Sequence, residues 1–132
     1  DDFEKIDNEN GYKLKNKSIC VFNQTTEANR VNIRLNDKTN HLENHLISLH
    51  LFLLKLSDFK KELISFYNNT FSETEVADEL WYNNLEVYRV TVFLGLDSKW
   101  YADVTAGDQF YEDHLLDIEL EENAVFSMNY DG

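Results

Sequence analysis

The chain has no proline, one cysteine and four glycines in 132 residues. Without proline there is no polyproline spacer or collagen-like repeat, and so little glycine leaves no flexible linker of the kind that separates domains. Cys20 has no partner within the chain, so no disulfide framework is available; the expectation is a reduced, cytoplasmic protein with a half-buried thiol. Long apolar runs are missing too, since no stretch approaches the roughly 20 residues that cross a bilayer as a helix. Positive charge is scarce, with 12 Lys and Arg against 25 Asp and Glu and a net charge of −13. Nucleic acids and anionic membranes bind through cationic neutralisation, so neither is an expected partner. Gly11, Gly95, Gly107 and Gly132 are isolated and form no phosphate-cradling loop, which argues against the nucleotide enzymes built on one. No cofactor is expected.

What remains is ample for one core. Apolar residues make up 42% of the chain and aromatics 14%, and a domain of this length buries roughly two-thirds of its unfolded surface. Three Asn-x-Ser/Thr triplets, at Asn16, Asn23 and Asn68, carry no weight in a chain so rich in asparagine. Residue 1 is Asp rather than Met, so an upstream segment, removed or never included, stays open as an alternative.

Residues 1–11 are polar and acidic and read as a flexible lead-in, with a single domain over 12–132. Lys17 to Asn23 is a short apolar run. Arg30 to Leu35 alternates, with Val31, Ile33 and Leu35 on one face, and the two segments are expected to pair as an antiparallel hairpin. The period then changes to about 3.6, with Leu42, Leu46, Leu49, Leu53 and Leu56 forming a helical core stripe behind a capping box at Asn40 and Glu43. Ser57-Asp58 can break this helix and cap a second through Phe59, Leu63 and Phe66; one helix or two is left open. A further capping box, Ser72 with Glu75, is expected to open a short helix packing Val76, Leu80 and Trp81 inward.

From Glu86 the period is two. Four strands are expected at 86–94, 99–105, 114–120 and 124–130, with even positions inward (Val90, Val92, Leu94; Trp100, Ala102, Val104; Leu116, Ile118, Leu120; Phe126, Met128, Tyr130). The fold class is α+β: an N-terminal β-hairpin, two to three helices, then a four-stranded antiparallel meander with the helices packed on one sheet face.

Charge divides unevenly. Residues 1–72 hold ten acids and ten Lys and Arg, whereas 73–132 hold fifteen acids against Arg89 and Lys99. Spread around the domain, these acids do no more than keep it soluble; gathered on one face, they create a field that steers a cationic partner. The residues expected to bind such a partner are Asp97, Asp103, Asp108, Glu112, Asp113, Asp117 and Glu119, with Tyr101 and Tyr111 as aromatic contacts.

Other constellations are less complete. His41 and His45 are four apart, the spacing that shares a metal across one helical turn, but His50 falls on another side of the helix and no H-E-x-x-H is present, so no metal is expected. His114, beside Asp113 and six residues from Asp108, has the surroundings of a general acid or base; it also suits a core-edge histidine bonded to a carbonyl. With no G-x-S-x-G and no nucleophile nearby, no catalytic residue is assigned.

Trp81, Leu85, Trp100-Tyr101-Ala102-Asp103, Gly107-Asp108-Gln109-Phe110, Asp113-His114, Leu116-Asp117-Ile118-Glu119-Leu120 and the closing Asp131-Gly132 form a pattern over residues 80–132. This pattern resembles small bacterial domains of the type found among immunity proteins of polymorphic toxin systems. The resemblance implies a cytoplasmic, non-enzymatic α+β protein. Asp108, Phe110 and His114 match the pattern, and no functional role is carried over with them. The leading expectation is thus an acidic protein that docks a basic protein partner, such as a toxin. The alternatives are a ligand-binding or hydrolytic domain around His114 with Asp108 or Asp113, and an accessory domain of a longer protein.

Overall fold

The structure, a computed structural model, describes residues 2–6, 11–36, 41–71, 73 and 75–131. It is a mixed α+β fold in which three helices cover one face of a seven-stranded sheet. The strands are β1 (Phe3–Lys5), β2 (Gly11–Leu14), β5 (Val31–Arg34), β6 (Glu86–Leu94), β7 (Trp100–Gly107), β8 (Leu115–Glu121) and β9 (Ala124–Asp131), in the order β1-β2-β5-β6-β7-β8-β9. A separate two-stranded ribbon pairs β3 (Ser18–Val21) with β4 (Gln24–Glu27). Every pairing is antiparallel except that of β5 with β6. Parallel neighbours need a long crossover, and the helices α1 (Leu46–Leu56), α2 (Lys60–Thr70) and α3 (Glu79–Asn83) lie within it.

The meander β6 to β9 follows the expected segments closely, because a half-buried sheet enforces strict alternation. Val90, Val92, Leu94, Trp100, Ala102, Val104, Leu116, Ile118, Leu120 and Met128 are all buried on the helix side. Phe126 departs from the rule. Glu119 pairs with Ser127 but Leu120 pairs with Val125, so Phe126 is the extra residue of a β-bulge and is 63% exposed.

The N-terminal hairpin differs from expectation. β3 does not pair with β5; it turns back on itself through Phe22 and Asn23, both at positive φ (52° and 61°), as the mirror-image two-residue turns of hairpins require. Phenylalanine is an unusual occupant of that conformation. Its ring is buried against Phe59 and Tyr82, and its backbone N–H reaches the Leu56 carbonyl at 2.8 Å, so packing holds what local preference opposes. The acidic lead-in is also not merely a tail, since Phe3 of β1 is buried against the core and β1 closes one edge of the sheet.

The helical region resolves into two helices. Asp58 accepts the Lys60 N–H at 3.1 Å and the Phe59 N–H donates to the Tyr82 hydroxyl at 3.1 Å, ending α1 and launching α2. Leu49, Phe52 and Leu56 bury from α1, and Leu63 and Tyr67 from α2. Leu46 and Leu53 are only partly buried, while Ile47, Leu51 and Leu54 stand exposed on the outer side of the helix layer. α3 starts later than expected: Asp78, not Ser72, is its cap and accepts the Trp81 N–H at 3.0 Å. Val76 and Leu80 are consequently exposed rather than inward, whereas Trp81 is buried as expected and Tyr82 joins it. The proposed caps Asn40 and Ser72 lie outside the described residues. Cys20 is exposed, not half-buried, because it occupies an outward position of the β3–β4 ribbon. Among the described residues no helix is long and apolar enough to cross a membrane.

Candidate partner-binding face

The face of β6 to β9 that points away from the helices is where the C-terminal acids meet. Strand register sets them in rows. Thr91, Asp103, Glu119 and Ser127 form one row across β6, β7, β8 and β9, and Arg89, Thr105, Asp117 and Asn129 form the next. Asp103 and Glu119 are therefore direct cross-strand neighbours, with Asp117 diagonal to Asp103. Like charges directly opposite one another destabilise a sheet. Burial and the charges of Glu119 and Asp117 raise the Asp103 carboxyl above the ordinary carboxylate value, and Arg89 offsets this only in part. Thr105 Oγ1 donates to Asp117 at 3.4 Å and Ser127 Oγ to Glu119 at 3.0 Å, but no ion pair among the described residues engages any of the three acids.

A third row brings in aromatics: Phe93, Tyr101 and Glu121 are register partners. The Tyr101 ring stacks on Phe93 with centroids 5.5 Å apart and planes 16° from parallel. Its hydroxyl donates to Asp97 at 2.5 Å, which lowers the Asp97 carboxyl and lifts the Tyr101 phenol to about 12. This clamp depends on Gly95. A Cβ there would stand 2.6 Å from the Asp97 carboxylate and 2.8 Å from the Tyr101 ring. Phe93, Tyr101, Asp103, Glu119 and the bulged Phe126 line an open groove of about 240 Å³.

The expected binding residues thus separate. Asp97, Tyr101, Asp103, Asp117 and Glu119 share the outer face. Glu112 and Asp113 are exposed on the β7–β8 connection, at the far end of β7 from Asp97, and Glu112 lines a separate polar cleft of about 370 Å³ with Glu86, Tyr88 and Gln109. Asp108 is buried, and Tyr111 is half-buried beside it. Asp108 is only 6% exposed, and its carboxylate accepts from Trp81 Nε1 (3.0 Å), the N–H groups of Phe110 (3.2 Å) and Tyr111 (3.1 Å), and the Tyr130 hydroxyl. With that proton committed to Asp108, Tyr67 donates to Tyr130 at 2.6 Å. Burial raises the Tyr67 phenol to about 12, and burial together with the Asp108 contact raises Tyr130. Tyr111 packs edge-on against Tyr130 at 4.7 Å. Four donors already occupy the Asp108 oxygens, so it serves as a structural acceptor in a buried position, in contrast to the acids of the outer face.

His114 is exposed and precedes β8, so it does not sit on the apolar face. Its backbone N–H donates to the Tyr111 carbonyl at 3.0 Å and its ring meets that of Tyr111 at 6.4 Å, edge-on. His41 and His45 are not on one α-helical turn: a short 3-10 segment, Leu42–Asn44, separates them, and His45 precedes α1. His41 lies 3.4 Å from Glu43 and His50 lies 3.8 Å from Asp2. Among the described residues, no three His, Cys, Asp or Glu side chains gather closely enough to hold a metal. Two residues of the groove were missed in the sequence. Phe93 carries no distinguishing signal, but Phe126 does: Val125, Phe126, Met128 and Tyr130 cannot all alternate, and adjacent apolar residues in an otherwise two-residue period are the mark of a bulge.

No family model, no curated protein and no solved structure matches this chain.

Proposed function

We propose that this protein binds a basic protein partner through the outer face of β6 to β9. The observation that carries this reading is the Asp103–Glu119–Asp117 cluster, three carboxylates set against one another that Arg89 offsets only in part and that no ion pair among the described residues engages. A folded protein gains nothing from such an arrangement by itself, whereas an approaching cationic surface relieves the repulsion and is steered by the field. The neighbouring Phe93, Tyr101 and Phe126 add the aromatic content that concentrates binding energy at protein interfaces. In its concrete form the partner is a nuclease-like toxin, whose cationic cleft an acidic immunity protein occupies by imitating phosphate charge. Cytoplasmic action fits that role.

The test is a parallel capture from lysate with the wild-type chain and with Asp103→Lys/Asp117→Lys/Glu119→Lys, washed at about 50 mM and then several hundred mM salt, a range over which the screening length falls severalfold. A basic protein that the wild type retains, that high salt releases and that the triple variant fails to capture supports the reading. A partner held equally by both chains overturns it.

A further inference from the structure

The groove on the outer face has features that a diffuse acidic surface does not need. One wall is the Tyr101 ring, fixed by its stack on Phe93 and by the bond to Asp97, so the ring is held before any ligand arrives. Phe126 is a second aromatic surface of the same groove, turned to solvent by the extra residue in β9 when its sequence position would otherwise place it in the core. The same groove is lined, on adjacent strands and in register, by the carboxylates of Asp103 and Glu119. Directly opposed residues of neighbouring strands have Cβ atoms about 5 Å apart, so the two carboxylates stand side by side at the groove.

A flat, delocalised cation fits this space better than a compact one. A guanidinium can lie against the aromatic faces while its in-plane N–H groups reach a carboxylate on each side; an ammonium has no plane to stack and is more strongly hydrated. We infer that this groove receives an arginine side chain from the partner protein and that the face selects arginine over lysine. The inference rests on the proposed docking of a basic partner and adds to it the identity of the side chain at the centre of the contact. The carboxylates supply charge complementarity, and Tyr101 with Phe126 supplies the discrimination.

The experiment is a calorimetric or NMR titration with end-blocked tetra-arginine and tetra-lysine at equal, low salt, on the wild type, on Phe126→Ala and on Asp103→Asn/Glu119→Gln. Phe126 is exposed, so its removal leaves the core intact. Tetra-arginine is expected to bind the wild type about five- to tenfold more tightly than tetra-lysine. Phe126→Ala should bring the two together by weakening tetra-arginine alone, and the double amide variant should weaken both. Equal affinities in the wild type, or an arginine preference that survives Phe126→Ala, overturns the arginine assignment. If the double amide variant still weakens both peptides, the acidic docking face stands without it; if binding of neither peptide responds, the face falls as well.

Discussion

Asp103 and Asp108 are five residues apart on one chain and do opposite work. Asp108 is buried at the end of β7, where two side-chain donors and two backbone N–H groups converge on one carboxylate. Asp103 lies on the outer face of β7 with two further carboxylates near it and no ion pair among the described residues. The first is held by everything around it, and the second is held in place despite what surrounds it. A carboxylate that organises a core is recognised by its donors; one proposed to meet a partner is recognised by having like charges for neighbours.

The sharpest way to break this contrast is to remove the buried member. Asp108→Ala strands the Trp81 indole N–H, the Tyr130 hydroxyl and two backbone N–H groups, and should cost about 3–5 kcal/mol in urea unfolding. A loss below about 1 kcal/mol would mean that water replaces the carboxylate and that Asp108 is no keystone. Next in size is the on-rate for a basic partner. It should fall by roughly 10- to 100-fold when Asp103, Asp117 and Glu119 are reversed to lysine, with the deficit shrinking at high salt; stopped-flow traces that overlay would remove these acids from the encounter.

Tyr67→Phe deletes one 2.6 Å hydroxyl contact and should cost about 1 kcal/mol in the same unfolding assay. The alkaline limb carries a related expectation. Tyr67 keeps its proton to about 12 when folded against an ordinary value of 10.0, so its contribution to stability is complete below pH 10 and is lost as pH rises towards 12. The stability slope over that window should flatten in Tyr67→Phe. Smallest is Asp103→Asn, which should stabilise the free protein by about 0.5 kcal/mol at neutral pH by ending the opposition to Glu119. Because the Asp103 carboxyl is raised in the folded state, the wild type should regain this stability as pH falls through that raised value towards 3.8, and the variant should show no such gain. If Asp103→Asn destabilises instead, the row is a structural network and the two aspartates are alike.

The legibility of the chain follows the same division. Strands β6 to β9 could be read because each buries one face and so alternates, and their ends fall within a few residues of expectation. β5 could be recognised as a strand, but its partners could not: alternation says which face is buried and nothing about which strand lies alongside, and both of its neighbours are reached across other elements. The β3–β4 turn carries Phe22-Asn23 where a turn signal would be Asn-Gly or Asp-Gly, so its conformation is visible only through the ring that anchors it. The acids at the site were legible as a charge excess confined to the last sixty residues. Their sorting into Asp103, Asp117 and Glu119 outside and Asp108 inside was not, because it depends on Trp81 and Tyr130, which reach Asp108 from distant parts of the chain, and on Tyr67, which bonds Tyr130.

The extra residue in β9 reaches beyond the groove it lines. β9 is the last strand of the sheet, and Ala124 to Tyr130 is a seven-residue run with no charge, no proline and no glycine, features shared by segments that stack into fibrils. A flat, regular edge of that kind is a template for the next molecule. The bulge at Phe126 bends the strand and throws its hydrogen-bonding ladder out of step at that point, so an incoming strand finds no continuous run to copy. One inserted residue therefore both turns an aromatic ring to solvent and interrupts the edge along which the molecule could pair with itself.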